Sequence, residues 1–201
     1  NVTRIISEEE LQIRPEWFKG KEVLDAGCGN GRWSYGLASL GAHVTAVDVN
    51  DVAIAETQKA LAGIDVPKAF HVSALEEVSS RFPEKRFDLV WCWGVLHHCH
   101  SFNKAFDEVA KLVKPGGVLY LYLYGRDSIP FQEDLELFKE RVRYNSLPTG
   151  EARLAFLRKK ARGNESMVHV LHDIYAPLVN RRFLFDDVRR MVEAKGFEDV
   201  T

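Results

Sequence analysis

The sequence predicts an α/β fold: a doubly wound, mostly parallel sheet with helices on both faces and a helical insertion after the fifth strand. Three observations carry this reading. Residues 23–26 form a short apolar run that passes through glycines at alternate positions, Gly27, Gly29 and Gly31, into an amphipathic stretch. Apolar runs of strand length then alternate with helical stretches as far as about residue 124. Successive strand–helix units of that length require parallel strands joined by right-handed crossovers, which place ligands at the carboxyl ends of the strands.

Each element has its own signal. After the first strand, the helix over 32–40 carries Trp33, Leu37 and Leu40 on one face and is stopped by Gly41. Residues 44–47 are the second strand; Asn50 or Asp51 caps a helix running to about Leu61, with Gly63 beyond its end. Residues 69–72 and 87–93 are the third and fourth strands, Ser101 caps an amphipathic helix through Val113, and residues 118–124 are the fifth strand. In the insertion, Pro130 starts a helix over 131–144, Pro148 breaks it, and Leu154, Phe156 and Leu157 lie in a second helical stretch. Residues 185–192 show apolar positions at helical spacing, ending at Gly196 before a strand entered at Phe197. The chain therefore divides into an N-terminal segment (1–19), a core (20–125), an insertion that covers the substrate pocket (126–182) and a final helix with the start of an edge strand (183–201). Within 1–19, Trp17 and Phe18 are expected to pack against the sheet.

Composition narrows the function class. With 201 residues, 46% hydrophobic and 28% charged, the chain can bury a substantial core as one domain. A net charge of −2 makes any electrostatic argument regional. The one charged region is 139–162, with eight basic residues (Lys139, Arg141, Arg143, Arg153, Arg158, Lys159, Lys160, Arg162) against Glu140 and Glu151. A basic helix face is most often simply solvated; recognition of an anionic substrate or nucleic acid is the alternative. No apolar run approaches the roughly 20 residues that span a bilayer, and the charged N-terminus lacks a signal-peptide core, so no membrane partner and a cytoplasmic location are expected. Cys28, Cys92 and Cys99 follow no C-x-x-C pattern and read as buried reduced thiols.

The glycine turn carries the chemistry. A pyrophosphate-binding turn runs G-x-G-x-x-G and would need glycine where Arg32 stands, and a pyrophosphate gains nothing from the carboxylate of Asp25 beside it. Here the order over residues 25–31 is acid-x-G-x-G-x-G. An acid at the strand end suits a ligand with a cationic amino acid portion, and S-adenosylmethionine is such a ligand.

At this point the chain resembles the class I S-adenosylmethionine-dependent methyltransferases, from about Gly20 to Gly125 with a weaker echo from Asp173 onward. The resemblance rests on ordered blocks: residues 23–32; Val44-Thr45-Ala46-Val47-Asp48-Val49-Asn50 as the second strand; residues 87–98, ending Gly94-Val95-Leu96-His97-His98, as the fourth strand and its loop; and residues 112–119 around Pro115-Gly116-Gly117 as the turn opening the fifth. It implies a Rossmann-like methyltransferase fold with S-adenosyl-L-methionine as cofactor. Asp25 would hold the ammonium group, directly or through water, with Gly27, Cys28, Gly29 and Gly31 against the methionine and ribose portions. Asp48, followed by Val49, would accept the ribose hydroxyls. Family members often carry an acid for the adenine amino group after the third strand; here Ser73 and Ala74 stand there, leaving the serine hydroxyl or Glu76 to substitute and the Leu75 backbone N–H to meet the ring. Trp93 completes the cofactor set. Because the family usually adds an antiparallel edge strand, a chain running from Asn1 to Thr201 reads as trimmed or lacking that strand.

In such enzymes a methyl group is displaced from a sulfonium, so alignment matters most and a base helps when the acceptor is a hydroxyl or protonated amine. His97 or His98 is the expected base, with His100 nearby. A metal reading of the His97-His98-Cys99-His100 run is set aside, because adjacent residues point in different directions, and no metal is expected. Tyr124, Arg126, His172 and Tyr175 are the expected acceptor contacts. The implied activity is methyl transfer to an oxygen or nitrogen of a small-molecule acceptor; the Gly94–His98 loop looks like that of quinone-pathway and secondary-metabolite enzymes. Two alternatives stay open: methylation of a modified tRNA base, with nucleic acid a less favoured partner, and a non-catalytic module that only binds the cofactor. The oligomeric state is not readable.

Overall fold

Five parallel strands form one sheet in a computed structural model that describes residues 1–201, with every side chain except that of His169. The strands are β1 (Glu22–Ala26), β2 (His43–Asp48), β3 (Lys68–Val72), β4 (Phe87–Trp93) and β5 (Val113–Tyr122), in the order β3-β2-β1-β4-β5. The order reverses between β1 and β4, and ligands bind at such a switch point, beyond the carboxyl ends of the strands. The register sets Asp25 of β1 beside Ala46 of β2 and Trp91 of β4. The three central strands, β2, β1 and β4, are buried almost throughout and without alternation, as a sheet covered on both faces requires, while β3 and β5 at the edges are only partly buried.

The chain divides into two compact units, residues 1–123 and 124–201. In the first, α1 (Val2–Arg4) continues as wider π-type turns over Ile5–Glu10. Ile6 and Phe18 are wholly buried and share a core with Val23, Trp33, Leu37, Val44, Leu61, Leu89 and Trp91, which bears out the packing expected for Trp17 and Phe18. The helices are α2 (Arg32–Ser39), α3 (Asp51–Ala60) and α4 (Phe102–Ala110). Asn50 caps α3 through its side chain, which accepts from the Val52 N–H at 3.0 Å. Ser101 holds the corresponding position before α4, but its hydroxyl makes no cap; its N–H donates instead to the Glu76 carboxylate at 3.2 Å. α4 stops at Ala110, three residues short of the expected end, and the fifth strand begins at Val113, five residues earlier than expected. A register shift opposite Phe87 and Leu89, with positive φ at Gly116, lets Val113–Gly117 join the ladder as an irregular strand.

The second unit packs α5 (Phe131–Asn145), α6 (Gly150–Ala161) and α7 (Glu165–Tyr175) around Tyr144, Leu157, Ala161 and Val168, followed by α8 (Phe185–Glu193). The first two agree with the stretches expected in the insertion; α7, capped by the Asn164 side chain, has no counterpart among the expected elements. Arg141 lies in this interior, with Nε donating to the Ile174 carbonyl at 2.8 Å at the end of α7. Arg182 pairs with Asp134 at 3.0 Å, and Gly125 bridges to Phe183. The strand expected at Phe197 is not present: residues 197–201 make no bridge, and a strand exists only with a partner for its ladder. The basic run over 139–162 is largely engaged within this unit. Lys139, Arg158 and Lys160 pair with Glu136, Glu165 and Glu140, Arg143 and Lys160 sit over the Phe156 ring, and Arg141 is buried. Among the described residues no helix is long and apolar enough to cross a membrane.

If the N-terminal segment belongs to the core, Phe18→Ala lowers stability by about 3–5 kcal/mol in urea unfolding, the usual cost of emptying a buried aromatic site. A loss under 1 kcal/mol would show that this segment lies outside the cooperative unit.

Candidate functional site

The turn between β1 and α2 is shaped by contacts that exclude side chains. Gly27 and Cys28 donate their N–H groups to the Val47 carbonyl at 2.7 and 3.0 Å, folding the turn across the end of β2. A β-carbon on Gly27 would stand 2.4 Å from a Val95 methyl, and one on Gly31 2.8 Å from the Thr57 backbone; both residues have positive φ. Thr57, wholly buried on α3, donates its hydroxyl to the Gly29 carbonyl at 2.9 Å. The Gly29 N–H in turn donates to Oδ2 of Asp48 at 3.0 Å, and the Asn50 N–H to Oδ1 at 2.9 Å. Asp48 thus stands fixed at the end of β2 by backbone donors, each oxygen keeping lone-pair capacity for a further donor.

A cavity of about 310 Å³ opens beside this turn, lined by Gly27, Asp48, Val49, Ser73, Ala74, Leu75, Glu76, Val95, His98, Cys99 and His100. Of the residues expected to hold a cofactor, Gly27, Asp48, Val49, Ser73, Ala74 and Leu75 come together on this wall. Gly29, Gly31 and Cys28 form the turn behind it, with Cys28 buried and its thiol pushed up to about 12 by that burial. Trp93 lies elsewhere: its ring stacks on Tyr122 at 4.4 Å and near Trp33 at 4.3 Å, in an aromatic row that continues through Trp91 and Tyr120. Val95, Glu76, Cys99 and His100 also line the wall, beyond the cofactor contacts expected from the sequence; of these, Glu76 and His100 carry a sequence signal, their position after β3 and β4.

Asp25 is 1% exposed at the end of β1. Its Oδ2 accepts from the Ser34 hydroxyl at 2.6 Å, while Oδ1 is buried with no hydrogen-bond partner. Burial, with a smaller contribution from the Asp48 charge, pushes its carboxyl up to about 7 against the opposing pull of Ser34. Asp25 itself does not line the cavity, but an orphaned carboxylate oxygen that feels the charge of a second carboxylate suits a cation, and Gly29, with open space where a β-carbon would stand, leaves room for backbone approach, so the residues fit a sulfonium amino acid nucleoside.

The two histidines part company. A short 3₁₀ turn, Leu96–His98, sends His97 into the interior, wholly buried, and leaves His98 on the cavity wall. The expected acceptor contacts all fall in the second unit. Tyr124 lies under the Arg182 guanidinium, Arg126 begins a 3₁₀ turn, and Tyr175 packs against Phe156. His172, more than half exposed, sits 3.6 Å from Asp173.

A family model described as a methyltransferase domain matches residues 24–121. The chain is 31% identical over 117 residues to the ubiquinone biosynthesis O-methyltransferase of Proteus mirabilis (strain HI4320), covering 58% of this chain and 47% of that one. It is 33% identical over 121 residues to the protein of the same name from Dechloromonas aromatica (strain RCB), covering 57% and 52%. The chain spans about half the length of the curated relatives it matches. In fold it is similar to the magnesium protoporphyrin IX methyltransferase (ChlM) of Synechocystis PCC 6803 solved with bound SAH, at TM-score 0.60 and 19% identity, over 100% of this chain and 71% of that one. It is equally similar to the YcgJ protein of Bacillus subtilis, at TM-score 0.60 and 19% identity, over 96% and 67%.

The raised carboxyl of Asp25 fixes a sign for stability. Between about pH 4 and 7 the folded chain holds a proton that the unfolded chain has released, so this group lowers stability as pH rises through that window. Urea unfolding of the ligand-free chain at pH 5 and pH 8 should therefore show wild type losing roughly 2–4 kcal/mol relative to Asp25→Asn. His71, whose charged form is disfavoured by burial, acts in the opposite direction in both proteins and cancels in the comparison. Parallel pH dependences for the two would show that Asp25 titrates normally.

Proposed function

We infer that this chain, which belongs to the class I S-adenosylmethionine-dependent methyltransferase family, transfers a methyl group to an oxygen or nitrogen of a small-molecule acceptor, foremost a hydroxylated aromatic compound. The observation that carries this reading is the pair of acids at neighbouring strand ends, Asp25 and Asp48, with the glycine turn folded between them beside the cavity. The likeness to ubiquinone biosynthesis O-methyltransferases over the same residues supports an oxygen atom as the methyl acceptor.

When bound, S-adenosylmethionine supplies an electrophilic methyl on a sulfonium leaving group. Asp48, already oriented by the Gly29 and Asn50 amides, accepts the ribose hydroxyls. Asp25 meets the ammonium group, Gly27 on the cavity wall and the open Gly29 let the backbone approach, and Gly31 holds the turn against Thr57. Ser73, Ala74, Leu75 and Glu76 border the adenine. For a hydroxyl acceptor, the His98 imidazole on the cavity wall takes the proton, while His97 packs behind it and shapes the loop. Tyr124, Arg126, His172 and Tyr175 remain the acceptor contacts proposed from the sequence. The engagement of most of the basic run in local pairs supports a small acceptor over a polyanion. The three free thiols agree with a reducing compartment, and we assign the protein to the cytoplasm.

Calorimetric titration with S-adenosylhomocysteine tests the cofactor site. Asp48→Ala should weaken binding by about 1–3 kcal/mol, the cost of leaving hydrogen-bonding groups unpaired; unchanged affinity would remove Asp48 from the ribose. For the reaction, methyl-labelled cofactor is incubated with 3,4-dihydroxybenzoate and related catechols. Label should appear in the catechol and fall at least tenfold in His98→Gln but not in His97→Gln at equal fold stability. Cofactor binding without transfer to any catechol, amine or tRNA pool would favour a non-catalytic module.

A further inference from the structure

We propose that Ser34 is a positioning residue for the cofactor's amino acid portion: it ties down one oxygen of the Asp25 carboxylate and so reserves the other for a cation. The proposal rests on the reading of this site as one for S-adenosylmethionine and names a residue outside the family's motif blocks that acts through Asp25.

Ser34 lies in the first turn of α2 and is wholly buried. A serine there can satisfy itself locally, on the backbone of its own helix. Instead its hydroxyl reaches across to β1 and donates to Oδ2 of Asp25 at 2.6 Å, a short hydrogen bond. The other oxygen of the same carboxyl, equally buried, accepts nothing. A buried carboxyl with one oxygen held and one bare is an incomplete arrangement, since buried acceptors are almost always paired.

The surroundings say what would complete it. The groups acting on Asp25 are the Ser34 hydroxyl and backbone amide, the Asp48 carboxylate, and the Cys28 and Cys92 thiols on the turn and on β4. None of these is cationic, and Asp25 forms no ion pair among the described residues. The N-terminal end of α2 contributes a partial positive charge, too little to offset two carboxylates. A single primary ammonium, met directly or through one water, supplies the missing charge and the missing donor together. Ser34 is needed because a carboxyl free to rotate would turn Oδ1 away and would more readily take up a proton in this buried setting.

The test compares two ligands by calorimetry between pH 6 and 8.5, using wild type, Ser34→Ala and Ser34→Thr. S-adenosylhomocysteine carries the ammonium; 5′-methylthioadenosine lacks the whole amino acid portion. In wild type, affinity for the first should rise with pH and level off above about pH 7, as Asp25 loses its proton, while affinity for the second stays flat. Ser34→Ala should weaken S-adenosylhomocysteine about tenfold or more at pH 7, move the rise to higher pH, and leave 5′-methylthioadenosine unchanged; Ser34→Thr, which keeps the hydroxyl, should restore both affinity and profile. Equal loss of both ligands, or a loss with no movement of the pH profile, overturns the positioning role. Should wild type bind neither nucleoside, the cofactor reading itself falls. Should it bind both with flat profiles, the cofactor reading survives and the role of Ser34 does not.

Discussion

The structure turns on a crowding constraint: a backbone turn must thread between the ends of two parallel strands that each terminate in a carboxylate. The amides of Gly27 and Cys28 are spent on the Val47 carbonyl, and that of Gly29 on Asp48. Thr57 presses against Gly31 and holds the Gly29 carbonyl, so the turn is fixed from the α3 side as well. Little of this depends on hydrophobic burial. It depends on backbone groups meeting partners at set distances, which is why glycine is required at Gly27 and Gly31 and why the acids sit where they do.

That constraint has an electrostatic consequence. Two acids brought to one edge oppose each other, and one of them, Asp25, is also removed from water. A fold selected for stability alone would place an apolar residue there. The retained carboxyl, with Ser34 on one oxygen and nothing on the other, is the kind of local cost that accumulates where a ligand is received. The rest of the first unit offsets it with an unbroken core: Ile6, Phe18 and Trp91 are wholly buried, and strand neighbours stack their aromatic rings in register from Trp91 and Tyr120 to Trp93 and Tyr122.

Much of this was legible in the sequence, and the unreadable parts have physical reasons. The glycine spacing behind Asp25 and the apolar run ending at Asp48 announce themselves because each is local, a few residues with one steric or polar demand. Ser34 and Thr57 were invisible for the opposite reason. A serine in the first turn of a helix and a threonine inside one carry the same local signals whether they cap, face solvent or reach across to another element. His97 and His98 could not be told apart, since a single 3₁₀ turn decides which of two neighbours is buried. The strand expected at Phe197 failed because strand formation is a property of a pair. The basic stretch over 139–162 reads as a charged surface, but two of its partners, Glu136 and Glu165, lie just beyond its ends in the chain.

The most direct measurement is a proton count. Wild-type protein is titrated with S-adenosylhomocysteine at pH 6 in two buffers of different ionisation enthalpy, so that any proton exchanged with the buffer appears as a difference in heat. Saturable binding with net release of a proton is expected, because an ammonium arriving at the buried Asp25 displaces the proton held there. Tight binding with no proton released, or an affinity for NADH with none for S-adenosylhomocysteine, would contradict the cation site at the end of β1.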